Sequence, residues 1–159
     1  MPDGAVQHYD KKHLFTFGGE HKRFTAGTER VVVNFRGVRI LLEICYDLRF
    51  PVWARNLGDY DMILYVASWP TPRVDAWSAL LRARAIENQC YVAGVNRMGV
   101  DPACEYSGGS AIIDPYGKTI AECPWSRESA VSADIDMEAL QAFRKKFPVL
   151  DDADPFTLI

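Results

Sequence analysis

Short apolar runs separated by turn residues make up much of the chain and predict β-strands. Residues 62–67 are apolar throughout and residues 38–45 are rich in apolar side chains, which is typical of strands covered on both faces. Arg36 and Gly37 separate the second of these runs from residues 31–35, and this spacing predicts a tight hairpin. The further strands that the pattern predicts are residues 90–95, 110–114, 119–122 and 129–136.

Apolar residues that recur every three or four positions predict a helix that begins at Asp75, as its N-cap, and ends near Asn88. A short helix is predicted at residues 52–57, where Gly58 would end it, and a last helix at residues 137–147. The apolar positions that would form the buried face of the first of these helices are Trp77, Leu80, Leu81, Ala85 and Ile86.

Strands that alternate with helices, followed by a late hairpin, predict an α/β fold with a mixed sheet and helices packed on it. Residues 1–29 and 96–106 predict loops. No linker divides the chain, so we expect one domain over residues 1–159. Three predicted helices cover the two faces of such a sheet poorly, and we therefore expect part of the domain, or a partner, to be missing.

The composition, which is that of an ordinary globular protein, excludes several classes of function. The chain has 159 residues, 48% of them hydrophobic, and a net charge of −3, which argues against nucleic acid as the main partner. No apolar run is long enough to span a membrane, and the N-terminus lacks the apolar stretch of a secretory signal. We expect a cytoplasmic protein that acts on a small molecule.

The cysteines and histidines predict neither a disulfide framework nor a metal centre. No two of the four cysteines have the spacing of a C-x-x-C pair, which fits a reducing compartment. The three histidines, His8, His13 and His21, are not spaced as metal ligands, and the paired glycines lack the setting of a phosphate-binding loop. No cofactor is therefore predicted.

Cys45 ends an apolar strand at a turn, and this position allows two interpretations. The turn would expose its sulfur at the carboxyl edge of the sheet, where active sites of such folds collect. A lone cysteine after a strand is nevertheless more often a small buried hydrophobic residue. The spacing alone favours the second interpretation.

Five segments around and beyond Cys45 change that balance. The sequence EICYDLRFP at 43–51 resembles the nucleophile segment of the nitrilase, or carbon–nitrogen hydrolase, superfamily. Residues 9–15, here called the lysine segment, and the glutamate loop at 19–27 are similar to two further motifs of that family. So are residues 82–97 and the pair formed by 107–110 and 114–117, and the tail at 145–154 resembles the omega-amidase-like branch.

The resemblance implies an α-β-β-α sandwich and a Glu–Lys–Cys triad. Cys45 would be the nucleophile. Lys11, rather than the adjacent Lys12, would hold the oxyanion together with the backbone N–H of Tyr46. Glu20 would be the accessory glutamate, the alternative being a solvated loop carboxylate.

The end of the strand at 62–67 predicts part of the pocket. Ser68 and Trp69 follow that strand, so we expect its edge to line the substrate site, although Trp69 fits the core equally well. Glu43 points to the same side of its strand as Cys45, which fits either an active-site role or the anchoring of a neighbouring loop.

The family's general-base glutamate has no match in this sequence. Only ten residues precede Lys11, and the acids among them are Asp3 and Asp10. We therefore expect the chain to correspond to the C-terminal part of the family domain. Because loss of a general base costs about 10²–10⁴-fold in rate, we expect the 159 residues alone to be inactive or poorly stable.

The resemblance implies hydrolysis of a linear amide through a thioester, with release of ammonia. The branch points to small dicarboxylate monoamides such as 2-oxoglutaramate and to a homo-oligomer. The alternatives are a nitrile-hydrolysing enzyme, a non-catalytic remnant or binding subunit, and a redox-sensing Cys45, which would need a second cysteine nearby.

Overall fold

A six-stranded mixed sheet forms the centre of the molecule. The structure, a computed structural model, describes residues 4–157. The sheet order is β1-β2-β3-β4-β7-β8, and a separate hairpin pairs β5 with β6. The strands are β1 Val32–Phe35, β2 Val38–Ile44, β3 Met62–Ala67, β4 Tyr91–Asn96, β5 Met98–Val100, β6 Glu105–Ser107, β7 Ala111–Ile113 and β8 Thr119–Glu122.

Strands β2, β3 and β4 run parallel, and antiparallel strands flank them on both sides. The register places Ile44 beside Val66, so β2 and β3 end at the same edge of the sheet. Cys45 follows directly after β2 and Ser68 directly after β3. Cys45 and Ser68 therefore lie next to each other at the carboxyl edge of the sheet, where functional residues of such folds gather.

Helix α1, Val74–Glu87, covers one face of the sheet. A row of apolar side chains crosses the four central strands below it, and all of them are almost fully buried: Leu41, Ile63, Val92 and Ile113. Gly94 lies in this interface, where a β-carbon would stand only 2.6 Å from Leu81 Cδ1. Glycine at this position therefore lets the helix approach β4 closely.

The opposite face of the sheet is partly open in the described residues. Ile44, Val66 and Val95 form a row across β2, β3 and β4, and the last two are 47% and 50% exposed. Leu42 and Leu64 lie on the same face and are half-buried. The strands are thus apolar on both faces, but among the described residues only one of these faces is covered.

The mixed α/β prediction is confirmed, but the helix predicted at residues 52–57 is wrong. A 3₁₀ helix forms earlier instead, at Cys45–Arg49, and residues 51–54 make only turns. The backbone N–H of Asn56 donates to the side-chain oxygen of Asn88 at 2.9 Å, so it does not make the bond to the fourth preceding residue that a helix requires.

The strand predicted at residues 129–136 is also wrong. This stretch has no ladder partner among the described residues, and it ends at Asp136, which caps helix α2, Met137–Lys146. The predicted loop at 96–106 instead contains most of the β5–β6 hairpin.

Helix α1 itself begins differently from the prediction. It starts at Val74 after a 3₁₀ turn, Thr71–Arg73, so that Asp75 lies in its first turn and is not its N-cap. Ile86, which was predicted to lie on the buried face of this helix, is 53% exposed, whereas Arg84 is only 3% exposed. The side chain of Arg84 instead reaches the carbonyl of Leu48 beneath the Cys45 turn.

Candidate active site

Cys45 stands in a strained backbone conformation at the carboxyl edge of the sheet. Its φ angle is +49°, in the left-handed region that side chains other than glycine rarely adopt. Its half-buried thiol donates to the carbonyl oxygen of Ser68 across 3.8 Å. Such strain persists only where the surrounding structure imposes it, and it clusters at functional sites.

A cavity of about 810 Å³ opens over Cys45. The ends of β2 and β3, the lysine segment and the glutamate loop all contribute to its wall, as does the β5–β6 hairpin. Lys11, Glu20, Cys45 and Ser68 all line it. Four residues that the sequence singles out for chemistry therefore share one cavity, although they come from distant parts of the chain.

Lys11 is held by Glu20. Its ammonium donates to both carboxylate oxygens, at 2.9 and 2.7 Å, and the backbone N–H of Phe15 donates to one of the same oxygens at 2.8 Å. Only 11% of the Lys11 side chain is exposed, compared with 31% for Glu20. Glu20 is thus engaged with the lysine and is not a solvated loop carboxylate.

Asp47 joins the lysine segment to the Cys45 turn, residues 45–49. The carboxylate is fully buried, and Oδ2 accepts from the Tyr9 hydroxyl and the Ile44 N–H, both at 3.0 Å. Oδ1 accepts the His13 N–H at 2.8 Å and lies 2.9 Å from His13 Nδ1. Both segments are therefore fixed to a single carboxylate.

The aromatic side chains around this network close it from solvent. Tyr9 accepts hydrogen bonds from Trp53 Nε1 at 3.0 Å and the Lys12 N–H at 3.1 Å, while the His13 ring stacks on Phe50 at 3.8 Å. Burial raises the pKa of the Tyr9 hydroxyl, and the carboxylates of Glu43 and Asp47 raise it further. Tyr9 is therefore a neutral donor to Asp47.

The thiol of Cys45 is not activated by its surroundings alone. Burial raises its pKa, the positive charge of Lys11 lowers it, and the net direction is upward. A thiol of raised pKa requires a base to become a nucleophile. Among residues 4–157, Asp10 and Glu20 are the carboxylates that line the cavity, and Glu20 is already paired with Lys11. Asp3 lies outside the described residues.

The sequence model of the carbon–nitrogen hydrolase family matches residues 2–145. The chain belongs to the carbon–nitrogen hydrolase family. It is 54% identical over 158 residues to the omega-amidase YafV of Escherichia coli, and 42% identical over 149 residues to a 2-oxoglutaramate amidase of Bacillus subtilis.

A solved carbon–nitrogen hydrolase superfamily protein from Xanthomonas campestris, which carries an arsenic adduct in its active site, has the same fold. The two superpose with a TM-score of 0.95 at 49% identity, over 99% of this chain and 63% of that one. The match to YafV likewise covers 99% of this chain and 62% of YafV, and the match to the Bacillus amidase covers 92% and 57%. The chain thus spans about 62% of the first of these relatives.

The other predicted pocket residues of this carbon–nitrogen hydrolase lie in different surroundings. Tyr46 packs edge-on against Phe15 and Phe50, and its backbone N–H belongs to the first turn of the 3₁₀ helix, where such groups lack partners within the helix. Trp69 is only 3% exposed and belongs to the core beside Trp77, so of its two proposed places the structure gives it the core.

Several residues that the sequence left aside matter at this site. Asp47 binds the lysine segment, and no local pattern could reveal a partner 34 residues away. Arg49 lies over the ring of Trp69, at 5.0 Å. Arg73 and Cys104 line the cavity as well, so the fold brings a second cysteine to the cavity of Cys45.

Glu43 does not line the cavity. It is 2% exposed, lies beside Tyr65 on the face below α1, and neither carboxylate oxygen has a hydrogen-bond partner among the described residues. Burial, followed by repulsion from Asp47, raises the pKa of Glu43 to about 9. It is therefore a neutral acid inside the fold at pH 7.

Proposed function

We propose that this carbon–nitrogen hydrolase is an amidase of the omega-amidase type, which cleaves small dicarboxylate monoamides such as 2-oxoglutaramate. The observation that carries the proposal is the strained Cys45 in one cavity with the Lys11–Glu20 ion pair. The names of its amidase relatives support an amide rather than a nitrile as the substrate.

In the proposed reaction the sulfur of Cys45 attacks the carboxamide carbon as its proton passes to a base. The carbonyl π-electrons move to the oxygen, where Lys11 and the Tyr46 N–H stabilise the negative charge. When the carbonyl re-forms, the carbon–nitrogen bond breaks and the protonated nitrogen leaves as ammonia. Water then attacks the thioester, which releases the carboxylic acid and restores the thiol of Cys45.

Glu20 would act by positioning Lys11, because both of its oxygens already accept from that ammonium. The proposed reaction also needs a general base, and Glu20, which is paired with Lys11, does not serve as one. The raised pKa of Cys45 supports the need for such a base.

The assembly and compartment belong to the same proposal. We propose a homo-oligomer, which the half-exposed Val95 on the open sheet face supports, whereas the neighbouring Val66 lines the cavity of Cys45. The four cysteines are all free thiols, which supports a reducing compartment such as the cytoplasm. No helix among residues 4–157 is both long and apolar enough to cross a membrane.

The test is ammonia release from 2-oxoglutaramate and succinamate, combined with intact-mass analysis during turnover. We expect an acyl adduct on the wild-type protein and none on Cys45→Ala. Cys104→Ala is the matched control, because it removes a thiol from the same cavity and should leave the adduct in place. An adduct that survives in Cys45→Ala would refute the assignment of the nucleophile.

A further inference from the structure

Arg73 lines the cavity but takes no part in the reaction steps proposed above. It ends the 3₁₀ turn Thr71–Arg73, immediately before α1, and it lines the same cavity as Cys45. Its backbone is held on both sides: its N–H donates to the Pro70 carbonyl at 3.0 Å, and its carbonyl accepts from Trp69 Nε1 at 2.7 Å. The buried Trp69 therefore anchors the point from which the arginine side chain extends.

The charge of Arg73 is unneutralised, in contrast to that of Lys11. Lys11 and Arg73 are the two lysine or arginine residues that line the cavity within the described chain, and Lys11 is paired with Glu20. No carboxylate among residues 4–157 lies within ion-pair distance of the Arg73 guanidinium, which instead lies 5.4 Å from the centre of the Phe15 ring.

A guanidinium beside an aromatic ring keeps N–H groups available to a ligand. Two of these N–H groups can donate in parallel to the two oxygens of a carboxylate, a geometry that an ammonium cannot reproduce. The half-buried position of Arg73 reduces screening by solvent, so an anion bound there gains more than it would at the surface.

We propose that Arg73 binds the carboxylate of the substrate remote from the amide, and so selects acid amides over neutral ones. The inference rests on the proposed function, since it assigns a residue to the second functional group of a dicarboxylate monoamide. Lys11 then serves the reacting carbonyl and Arg73 serves the distal carboxylate, so that the two cations of one cavity act at opposite ends of one small molecule.

The test compares succinamate with butyramide, which carries a methyl group in place of the carboxylate. Arg73→Gln should lower kcat/KM for succinamate about 10–100-fold, mainly through KM, as expected for loss of a charged hydrogen-bonded contact. The value for butyramide should not change. Arg73→Lys should fall between wild type and Arg73→Gln, and Arg82→Gln, an exposed arginine on α1, should match wild type.

A binding experiment tests the role of Arg73 independently of the proposed amidase activity. Succinate, the product, is titrated into wild type, Arg73→Gln and Arg73→Lys, with thermal melting to verify that each variant is folded. If wild type releases no ammonia but binds succinate at least tenfold more tightly than Arg73→Gln, the proposed activity fails and the role of Arg73 stands.

Three results would overturn the role of Arg73. The first is that wild type binds no succinate, and the second is that both Arg73 variants bind succinate as tightly as wild type does. The third is that substitution of Arg73 reduces kcat/KM for butyramide and for succinamate by the same factor, which would make Arg73 a structural residue. If Arg73→Gln fails to fold, Arg73→Lys decides: it must weaken succinate binding and spare butyramide.

Discussion

Asp47 determines where Lys11 stands relative to Cys45. It is fully buried and accepts hydrogen bonds from Ile44 next to the cysteine and from Tyr9 and His13 on either side of the lysine. A buried carboxylate that bonds two chain segments holds them at a fixed separation. In the proposed reaction, this separation positions the ammonium over the developing oxyanion.

We expect Asp47→Asn to lower kcat about 10–100-fold and to leave KM nearly unchanged, because misplacement by about 1 Å weakens stabilisation of the transition state. The same change should reduce the free energy of unfolding by about 1–3 kcal/mol, since the amide NH₂ faces donors. Steady-state kinetics and urea denaturation measure the two effects. Asp59→Asn, which removes a partly exposed carboxylate, is the control, and unchanged kcat in Asp47→Asn would contradict the positioning role.

Glu43 makes stability depend on pH. Its pKa lies near 9 in the folded protein and near 4.5 as a free side chain, so the folded state binds the proton more tightly. The stabilisation is complete below pH 4.5 and is lost as the pH rises towards 9, by at most about 1.4 kcal/mol per pH unit.

Glu43→Gln, which cannot ionise, should therefore flatten the decline of unfolding free energy between pH 5 and 9. Urea denaturation across this range measures the slope. Glu122→Gln, an exposed carboxylate on β8, should keep the wild-type slope. Equal slopes in wild type and Glu43→Gln would show that Glu43 is ionised in the fold.

At the scale of elements, Arg144 attaches helix α2 to the segments that precede β3 and β4. Arg144 Nε donates to the Gln89 carbonyl at 2.9 Å, Nη1 to Asp61 at 2.9 Å and Nη2 to the Tyr60 carbonyl at 3.0 Å. Burial raises the pKa of Asp61, but the hydrogen bonds and charge of Arg39, together with Arg144, outweigh it, and the net pKa is lowered. The helix is therefore attached at the end of the sheet opposite Cys45.

Arg144→Lys should loosen α2 without affecting the cavity, because lysine cannot donate in three fixed directions. Hydrogen exchange should become faster in residues 137–147 and remain unchanged in 74–87. Lys145→Arg on the exposed side of the same helix is the control. Uniform acceleration across both helices would instead mean that the whole domain is destabilised.

At the scale of the whole molecule, one face of the sheet is partly open among residues 4–157. Val66 and Val95 are about half exposed on β3 and β4, and Leu42 and Leu64 are only half-buried beside them. Contiguous apolar surface of this kind favours association.

We expect the purified chain to self-associate, and Val95→Lys to shift it towards the monomer by placing a charge on this face. Sedimentation velocity over a concentration series measures the shift. Ile86→Lys, at a similarly exposed apolar position on α1, should leave association unchanged. A wild-type chain that stays monomeric at every concentration would contradict the expectation.

The local sequence by itself determined the six strands of the central sheet, most of α1, and the identity of Cys45, Lys11 and Glu20 as candidate residues. Apolar periodicity and short motifs are properties of neighbouring residues, so they can be detected without a fold. The strand at 62–67 and the late hairpin, with strands predicted at 110–114 and 119–122, are confirmed for this reason.

Only the tertiary structure decided what these residues touch. The pairing of Asp47 with His13, the burial of Trp69, the opening of Arg73 and Cys104 into the cavity of Cys45, and the neutral state of Glu43 all depend on contacts between distant segments. Burial and electrostatic environment are set by packing in three dimensions, which residue type and local spacing do not encode. The roles proposed for Asp47 and Arg73 therefore depend on the sheet, which brings the ends of β2 and β3 together beside the lysine segment.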